Sequence, residues 1–257
     1  MGAATEPAVG VYVYGLVPED VEVAEDAQGV GDGAKAKVTS IPHGEIAALV
    51  SDVALDRPLG TPADLLGHEE LLDATAAEVP VLPLRFGSVV SSPEAVVEEL
   101  LAPHHDEFLH ALQEMEGRAQ YVVKGRYVEE TVLWEVLDEY PEAAKLRDQI
   151  REVGEEAARD LRVELGELVD DAIAAKREAD TDAVLEAVEP VSVLAAVRAP
   201  SHEEDAIHLA LLMEKDRQDE LEQVVADFAE RWAGRVDFRL LGPMAAYDFV
   251  ASARGGV

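Results

Sequence analysis

Apolar and polar positions in the first half of the chain alternate between strand and helix patterns. They predict strands over residues 9–17, 36–41 and 45–53, an acidic loop over 18–37, and helices over 62–78 and 92–115. Thr61 and Pro62 fit the N-cap and first position of the earlier helix. Residues 79–90 contain two prolines, which cannot donate to a sheet ladder, so this segment is predicted to lie at a sheet edge or to be irregular.

The second half has a more regular order of elements. It predicts strands over 120–128, 191–199, 207–213, 236–241 and 246–250, and helices from 132, over 141–177, 181–188 and 216–232. This is the βαββαβ order of a ferredoxin-like domain with an enlarged first crossover. Gly117 offers a helix end between the halves. We therefore expect an α+β protein of two domains, 8–117 and 118–251, the second a modified ferredoxin-like domain with a long extra helical segment.

The long helical stretch carries an apolar stripe from Leu146 to Ala172, at spacings of three and four. It is longer than one sheet crossing of ~10–15 helical residues requires. Two interpretations remain open. The stripe packs on the first domain or on the 181–188 helix, or its central residues Leu161, Leu165 and Leu168 dock an apolar helix of a partner.

Charge excludes several classes of partner. The 257 residues are 48% hydrophobic, which is enough for a buried core, and they include 54 acidic and 21 basic residues for a net charge of −33. Such a surface repels phosphate backbones and anionic membranes, so no nucleic-acid binding is expected. The excess of 15 Arg over 6 Lys and the abundance of Ala, Val and Glu fit a GC-rich genome or adaptation to salt. With neither a secretory leader nor a long apolar run in the sequence, we expect a cytoplasmic protein without a membrane span.

Residues for catalysis, metals or cofactors do not form a recognisable pattern. Cysteine is absent. His104 and His105 are neighbours that cannot share a helix face, and His68 precedes Glu69 without the second histidine of a zinc-protease helix. The histidines are therefore predicted to be solvated, and no Gly-x-Ser-x-Gly elbow is present. We predict no catalytic, cofactor-binding or metal-binding residue.

Two short segments stand out instead as candidate partner-binding surfaces. Residues 81–87, VLPLRFG, place Arg85 and Phe86 beside a rigid proline in a region poor in bases. Arg85 either pairs with a buried or interfacial carboxylate from a core strand, or lies on an exposed edge that accepts a partner. Residues 241–250, LGPMAAYDFV, repeat this mix of glycine, proline and aromatics with Pro243 and Tyr247.

Four motifs together resemble the gas-vesicle synthesis protein family F/L. They are VYVYGLV at 11–17, the 81–87 segment, YVVKG at 121–125 and the 241–250 segment, in that order across nearly the whole chain. The resemblance implies two α+β domains, a role as a minor accessory component of gas-vesicle assembly, and neither enzymatic activity nor a cofactor. It also implies association with the small apolar shell subunit and with other accessory proteins.

This sequence departs from the family at one motif. Family members often carry bulkier Trp-Pro-Pro-like residues where this chain has Met244, Ala245 and Ala246, so a partner contact there should be weaker or differently shaped. The sequence does not distinguish the F type of the family from the L type. The leading interpretation is an assembly factor that is cytoplasmic and associated with gas vesicles. The alternatives are a ligand-sensing regulator, because ferredoxin-like domains often bind effectors, and a hydrolase that uses scattered acids.

Overall fold

The computed structural model describes residues 9–24, 27, 29–31, 36–55, 58–155 and 158–250. The chain forms two compact units. The first comprises Met1–Tyr121, Leu212–Asp216 and Gly242–Val257, and the second comprises Val122–Leu211 and Arg217–Leu241. The domain boundary at Gly117 stays a prediction, because compact packing does not measure whether either part folds alone.

A five-stranded sheet organises the first unit. Its order is β2-β3-β1-β4, and β5 also pairs with β1. Every pair in it for which the register is defined is antiparallel. The strands are β1 (Val9–Pro18), β2 (Thr39–His43), β3 (Ile46–Ala54), β4 (Leu82–Pro83) and β5 (Val89–Val90). The helix α1 (Pro62–Glu78) matches the predicted helix over 62–78.

β1 is the central strand of this sheet, and its sequence explains why. Residues 10–17 are all buried, as expected for a β-branched and aromatic run covered on both faces. Helix α1 packs on one side through Leu72 and Ala76. Gly15 lies where β4 approaches, and an added Cβ would be 2.7 Å from the carbonyl oxygen of Leu82. The absence of a side chain there lets the short β4 strand pair with β1.

The helix predicted over 92–115 is present but not uniform. It consists of α2 (Pro93–Ala95), a π-helical turn (Val96–Leu101), a 3-10 turn (Ala102–His104) and α3 (His105–Glu114). Pro103 has no N–H to donate to the carbonyl four residues earlier. The preceding turn is wider, and the N–H of Ala102 donates to the carbonyl of Val97. The proline therefore changes the hydrogen-bond pattern without ending the helical path.

The second sheet has the order β7-β8-β6-β9. Its strands are β6 (Arg118–Tyr127), β7 (Leu194–Val197), β8 (Asp205–Glu214) and β9 (Val236–Met244). The helices of this part are α4 (Glu129–Glu139), α5 (Pro141–Glu152), α6 (Ala158–Val188) and α7 (Gln218–Arg231). Strands and helices follow one another in the predicted order. None of the described helices is both long and apolar enough to cross a lipid bilayer.

The single helix predicted over 141–177 is wrong. Helix α5 ends at Glu152, because Val153 is extended and Gly154 follows it, and α6 begins at Ala158. Helix α6 then continues to Val188, so the separate helix predicted over 181–188 is its last part. Gly166 lies inside α6 with no atom within 4 Å of an added Cβ, so it marks no close helix approach.

The strand predicted over 246–250 is also wrong. β9 continues through the cis Gly242–Pro243 bond to Met244, and residues 247–249 form a turn. Proline is tolerated in β9 because this strand lies at the sheet edge, where its missing N–H is not needed for a ladder. The following amides are satisfied by side chains, since Ala245 N–H donates to Asp73 and Asp248 N–H donates to Gln120.

Candidate partner-binding surface

An aromatic cluster around His68 fixes α1 to the sheet of the first unit. The imidazole stacks on Tyr14 with 5.8 Å between ring centroids and meets the rings of Phe86 and Tyr247 at 5.5 and 6.2 Å. The Tyr12 hydroxyl is 2.9 Å from His68 Nδ1. The structure thus brings together Phe86 and Tyr247, two of the predicted candidates from distant parts of the sequence, on one side chain of α1.

The cluster is neutral near pH 7. Burial lowers the pKa of His68 and raises the pKa of Tyr14, and burial raises the pKa of Tyr12 to about 12. The Tyr12 hydroxyl also accepts a hydrogen bond from the N–H of Gly87. The buried His68 imidazole also interacts with the main chain of Leu84, which partly offsets the effect of burial on its pKa. The Tyr247 hydroxyl is buried and has no hydrogen-bond partner among the described residues. His68 is therefore a core residue, and the prediction that the histidines are solvated is wrong for it.

The segment with Pro243 and Tyr247 is held against the same helix. Asp73 of α1 accepts the N–H of Ala245 at 2.9 Å, and Gln120 Oε1 accepts the N–H of Asp248 at 3.1 Å. Burial raises the pKa of Asp73. This segment is thus an internal clamp on α1: Pro243 is half-buried and Ala245 is fully buried.

The opposite side of α1 faces outward. Its N-terminus is closed by a capping box in which the Thr61 hydroxyl accepts the N–H of Asp64 while the Asp64 carboxylate accepts the N–H of Thr61. Leu72 on the inner side is fully buried, whereas Leu65 and Leu66 are 43% and 54% exposed. Helix α1 is therefore apolar on more than one face, a feature typical of a helix that meets a partner.

A groove of about 970 Å³ lies between this outer side and the described residues of the segment over 20–31. Apolar side chains from the segment, from β3, from α1 and from the residue just after α1 line it: Val21, Val23, Leu49, Leu66, Leu71 and Val79. Among the described residues, the lining also includes five acidic residues and no basic residue: Asp20, Glu22, Asp64, Glu70 and Glu78. Apart from Asp64 in the capping box, these acids are exposed. The groove therefore favours an apolar partner with positive charge and disfavours an acidic one.

Arg85 does not have the predicted buried partner. Its side chain is exposed, and no ion pair to it is formed among the described residues. Its carbonyl accepts hydrogen bonds from the Ser88 N–H and hydroxyl, which closes a turn that contains Gly87 at φ +86°. The expectation of a desolvated guanidinium within the chain is thus wrong, while binding of a partner at Arg85 stays a prediction.

Leu165 and Leu168 pack inside the second unit. Both contact the cluster of Val136, Ala143 and Ala172, where α4, α5 and α6 meet. Leu161 is half-buried on α6. The part of the stripe that lies on α6 thus packs against α4 and α5 within the second unit. Docking of a partner there stays untested.

Sequence reasoning missed both the buried histidine and the groove. His68, Leu72 and Ala76 follow one another at four-residue spacing on the buried face of α1, which was a usable signal for the histidine. The groove depends on how the segment over 20–31 lies across α1, and sequence spacing carries no such information. Among the described residues, no group of three or more His, Asp or Glu side chains is arranged to hold a metal ion.

Comparisons with known proteins identify the family. The model of the family described as gas vesicle synthesis protein GvpL/GvpF matches residues 10–251. Gas vesicle protein F of Streptomyces sp. (strain CB03234) is 30% identical over 94% of this chain and 100% of its own length. Gas vesicle protein F of Dolichospermum flosaquae is 23% identical over 94% and 98%.

Solved structures agree in fold. The crystal structure of GvpF from Anabaena sp. PCC7120 superposes with a TM-score of 0.75 at 23% identity, over 94% of this chain and 98% of that one. The crystal structure of GvpF from Microcystis aeruginosa gives a TM-score of 0.73 at 21% identity, with the same coverage. The chain belongs to the gas vesicle synthesis protein GvpL/GvpF family.

Proposed function

We propose that this protein is an assembly factor that binds the apolar shell subunit of the gas vesicle through the groove on α1. Family membership supports involvement in gas-vesicle formation. The observation that carries the finer proposal is the combination of exposed leucine, an apolar floor and an acidic rim in one groove. We also propose that it acts in the cytoplasm and at the vesicle, together with other accessory proteins.

Apolar contact supplies the affinity in this proposal. Each Å² of apolar surface removed from water contributes about 25 cal/mol, so burying one leucine contributes about 1.5–3 kcal/mol. The acidic rim attracts a positively charged flank of the partner and repels nucleic acid. The high net charge of −33 keeps the complex soluble while an aggregation-prone subunit is held.

The aromatic cluster supports this use of α1 by holding the helix rigidly. Buried His68 contacts Tyr12, Tyr14 and Phe86 on its inner side, and Asp73 fixes the segment that contains Tyr247. A surface that is already ordered loses less entropy when a partner binds. Phe86 and Tyr247 therefore act as supports for the binding helix in this proposal, rather than as the binding surface itself.

We further propose that the second sheet and its helices form a ferredoxin-like domain, with the boundary between 8–117 and 118–251. The element order and the strand order β7-β8-β6-β9 support it. In the described part of the chain, the first crossover holds three helices, α4, α5 and α6, where the simple βαββαβ order has one.

The binding proposal is tested with two adjacent leucines. Leu66 lines the groove and Leu65, although similarly exposed, does not. Leu66→Glu should reduce capture of the purified shell subunit about ten- to hundredfold, with the thermal unfolding midpoint nearly unchanged. Leu65→Glu is the matched control and should keep capture. Equal capture by both variants would exclude the groove, and absence of capture by the unaltered protein would exclude the proposed function.

The groove also has the volume of a small-molecule site, which favours a ligand-sensing regulator as the second candidate. A screen of cationic metabolites by thermal unfolding separates the two. A compound that raises the midpoint of the unaltered protein but not of Leu66→Glu, without affecting capture of the shell subunit, would favour ligand sensing.

A further inference from the structure

A row of basic residues crosses the second sheet. Two contacts at opposite ends of β6 and β9 fix their register: the Val128 N–H donates to the Arg235 carbonyl at 2.9 Å, and a Cβ added to Gly242 would lie 3.2 Å from Tyr121 Cα. In the antiparallel register that satisfies both contacts, Lys124 of β6 lies directly opposite Arg239 of β9.

The row continues through β8 to the end of β7. The Lys215 N–H donates to the Gly117 carbonyl at 2.8 Å, and the antiparallel register that this bond sets places His208 of β8 opposite Lys124. Just after β7, the Arg198 N–H donates to the His208 carbonyl at 2.8 Å, and its guanidinium lies 3.5 Å from His208 Nε2. A basic side chain therefore stands at the same level on each strand or at its end.

This row lies on the face of the sheet opposite to the one that α6 and α7 cover. Tyr127 of β6 donates a hydrogen bond to α6 at 2.6 Å, and the ring of Phe238 in β9 packs on α7. Successive side chains of a strand point to opposite faces, so Lys124 and Arg239 point away from these helices. Arg239 is exposed and Lys124 is half-buried, so both are open to a partner.

Lys124 and Arg239 have no carboxylate within ion-pair distance in the described part of the chain. Two residues along β6 on the same face, Arg126 pairs with Glu204 at 3.8 Å and lies opposite Asp237 in the same register. Like charges directly opposite each other destabilise a sheet. The protein therefore keeps two adjacent cations without a counter-ion, although acids outnumber bases by 54 to 21.

The surroundings of this pair limit what can bind. Leu241 follows Arg239 by two residues on the same face and is 42% exposed. At the other end of the row, Arg198 borders a cavity that Glu178 and Asp182 also line. The unbalanced positive charge is thus confined to the β6–β9 side, where an apolar side chain lies beside it.

We infer that Lys124 and Arg239 bind two neighbouring carboxylates in a short acidic segment of a partner protein. An apolar residue of the segment packs on Leu241. Charge-assisted hydrogen bonds to the carboxylates hold the segment, and the bound negative charge also removes the repulsion between the two cations. All three residues belong to the second unit, and the site is independent of the groove on α1.

A phosphate backbone and a second copy of this chain are the competing occupants, and both are disfavoured by charge. Tight binding of a phosphate backbone needs many cations, whereas this pair adjoins Asp237 on a chain with a net charge of −33. A second copy would also bring a net charge of −33, and like charges repel. A short acidic segment on a less negative partner avoids both costs.

The test uses a short synthetic peptide in which glutamate alternates with leucine, with Gly-Ser at each end. Titrated into the isotope-labelled full chain, it should shift the amide resonances of Lys124, Arg239 and Leu241. The control peptide has glutamine in place of glutamate and should bind at least about fivefold more weakly. Since the rest of the chain is strongly acidic, an acidic peptide has little tendency to bind elsewhere.

Variants then locate the site. Lys124→Gln and Arg239→Gln should each weaken the glutamate peptide about fivefold. Lys145→Gln and Arg162→Gln, at exposed bases on α5 and α6, should not change its affinity. Leu66→Glu should bind the peptide normally, so failure of the groove proposal would leave this one standing.

A measurement without peptide tests the repulsion itself. Lys124→Gln should raise the thermal unfolding midpoint by about 1–3 °C, because Arg239 no longer faces a like charge. Arg126→Gln is the control on the same face and should not raise the midpoint, since this residue has Glu204 as its partner. A lower midpoint in Lys124→Gln would contradict the inference.

Four binding outcomes would also overturn it. One is the absence of shifts at Lys124 and Arg239 with about millimolar peptide, and another is equal weakening by Lys124→Gln and Lys145→Gln. The third is tighter binding of a single-stranded oligonucleotide at the same residues, which would identify a phosphate backbone as the occupant. The fourth is a dimer of the unaltered protein in sedimentation that is lost in Lys124→Gln, which would identify a second copy.

Discussion

Polar groups are buried in both units, but by opposite means. In the first unit, His68 lies among aromatic rings and uncharged hydroxyl groups, and it is kept neutral by burial. In the second unit, Arg235 bonds Glu135 and Asp180, each at 2.8 Å. One region avoids charge and the other neutralises it.

The network around Arg235 is continuous. Lys176 donates to Glu135 and Glu139, and the Tyr127 hydroxyl donates to Asp180 at 2.6 Å. Burial would raise the pKa of Glu135, but hydrogen bonds from Arg235 and Lys176 lower it overall. The Arg235 guanidinium also lies over the rings of Tyr127 and Trp232. Removal of one member of this network leaves buried charges with fewer partners. Removal of one hydroxyl from the aromatic cluster leaves only uncharged groups without a hydrogen bond.

The largest expected effect is therefore in the charged network. Arg235→Met should lower the free energy of unfolding by about 3 kcal/mol, because Asp180 and Glu135 lose their main partner in a site that is mostly buried. Urea denaturation measures this change. Arg126→Met is the control, since its pair with Glu204 is exposed at 3.8 Å and should contribute less than about 1 kcal/mol. Equal losses in both variants would contradict a special role for the network.

A smaller effect is expected in the neutral cluster. Tyr12→Phe removes the hydroxyl that bonds His68 and Gly87, and should lower the free energy of unfolding by about 1–2 kcal/mol. Tyr140→Phe serves as the control because that tyrosine is half-buried and its hydroxyl makes no hydrogen bond with the described residues. A loss in Tyr12→Phe as large as in Arg235→Met would remove the distinction between the two regions.

The pH dependence is the finest test of the comparison. The pKa of His68 in the folded protein lies below its ordinary value of 6.5. Above pH 6.5 the contribution of His68 to the free energy of unfolding is therefore complete. It falls at lower pH, where the unfolded chain binds the proton first, by up to about 1.4 kcal/mol per pH unit. Asp73, whose pKa is raised from 3.8, has the opposite effect. As the pH falls through its raised pKa, the buried carboxylate takes up a proton and the free energy of unfolding increases.

The measurement is the free energy of unfolding at pH 7 and pH 5.5. The unaltered protein should lose about 1 kcal/mol more over this interval than His68→Gln does. His110→Gln, at an exposed histidine, should lose as much as the unaltered protein. An identical loss in His68→Gln would show that His68 does not control this pH response.

Local signals in the sequence predicted the elements whose causes are local. Thr61 and Pro62 define the start of α1 through capping, and the buried run of β1 is evident from its residues alone. The order of elements in the second half follows from the same patterns. The break at Gly154 was also visible as a loss of helix propensity, but the apolar stripe across it suggested continuity.

Features that depend on distant contacts could not be predicted. The role of Pro243 inside β9 depends on the strand being an edge, and the turn after it depends on Asp73 and Gln120. One of the two interpretations of Arg85 placed it on a core strand beside a carboxylate, yet the turn at Gly87 leaves this residue in solvent. The groove arises where two segments meet, and it is therefore absent from any single stretch of sequence.

The clamp formed by residues 242–250 has a consequence during synthesis on the ribosome. Asp73 and Gln120 obtain these hydrogen-bond partners, and the inner face of α1 obtains the cover of Ala245 and Tyr247, only after this stretch has left the exit tunnel. The first unit therefore cannot reach its final packing before residues 242–250 have been synthesised. A nascent chain without this stretch would hold α1 loosely, so a partner that binds α1 would meet the completed groove only after residues 242–250 have packed against the helix.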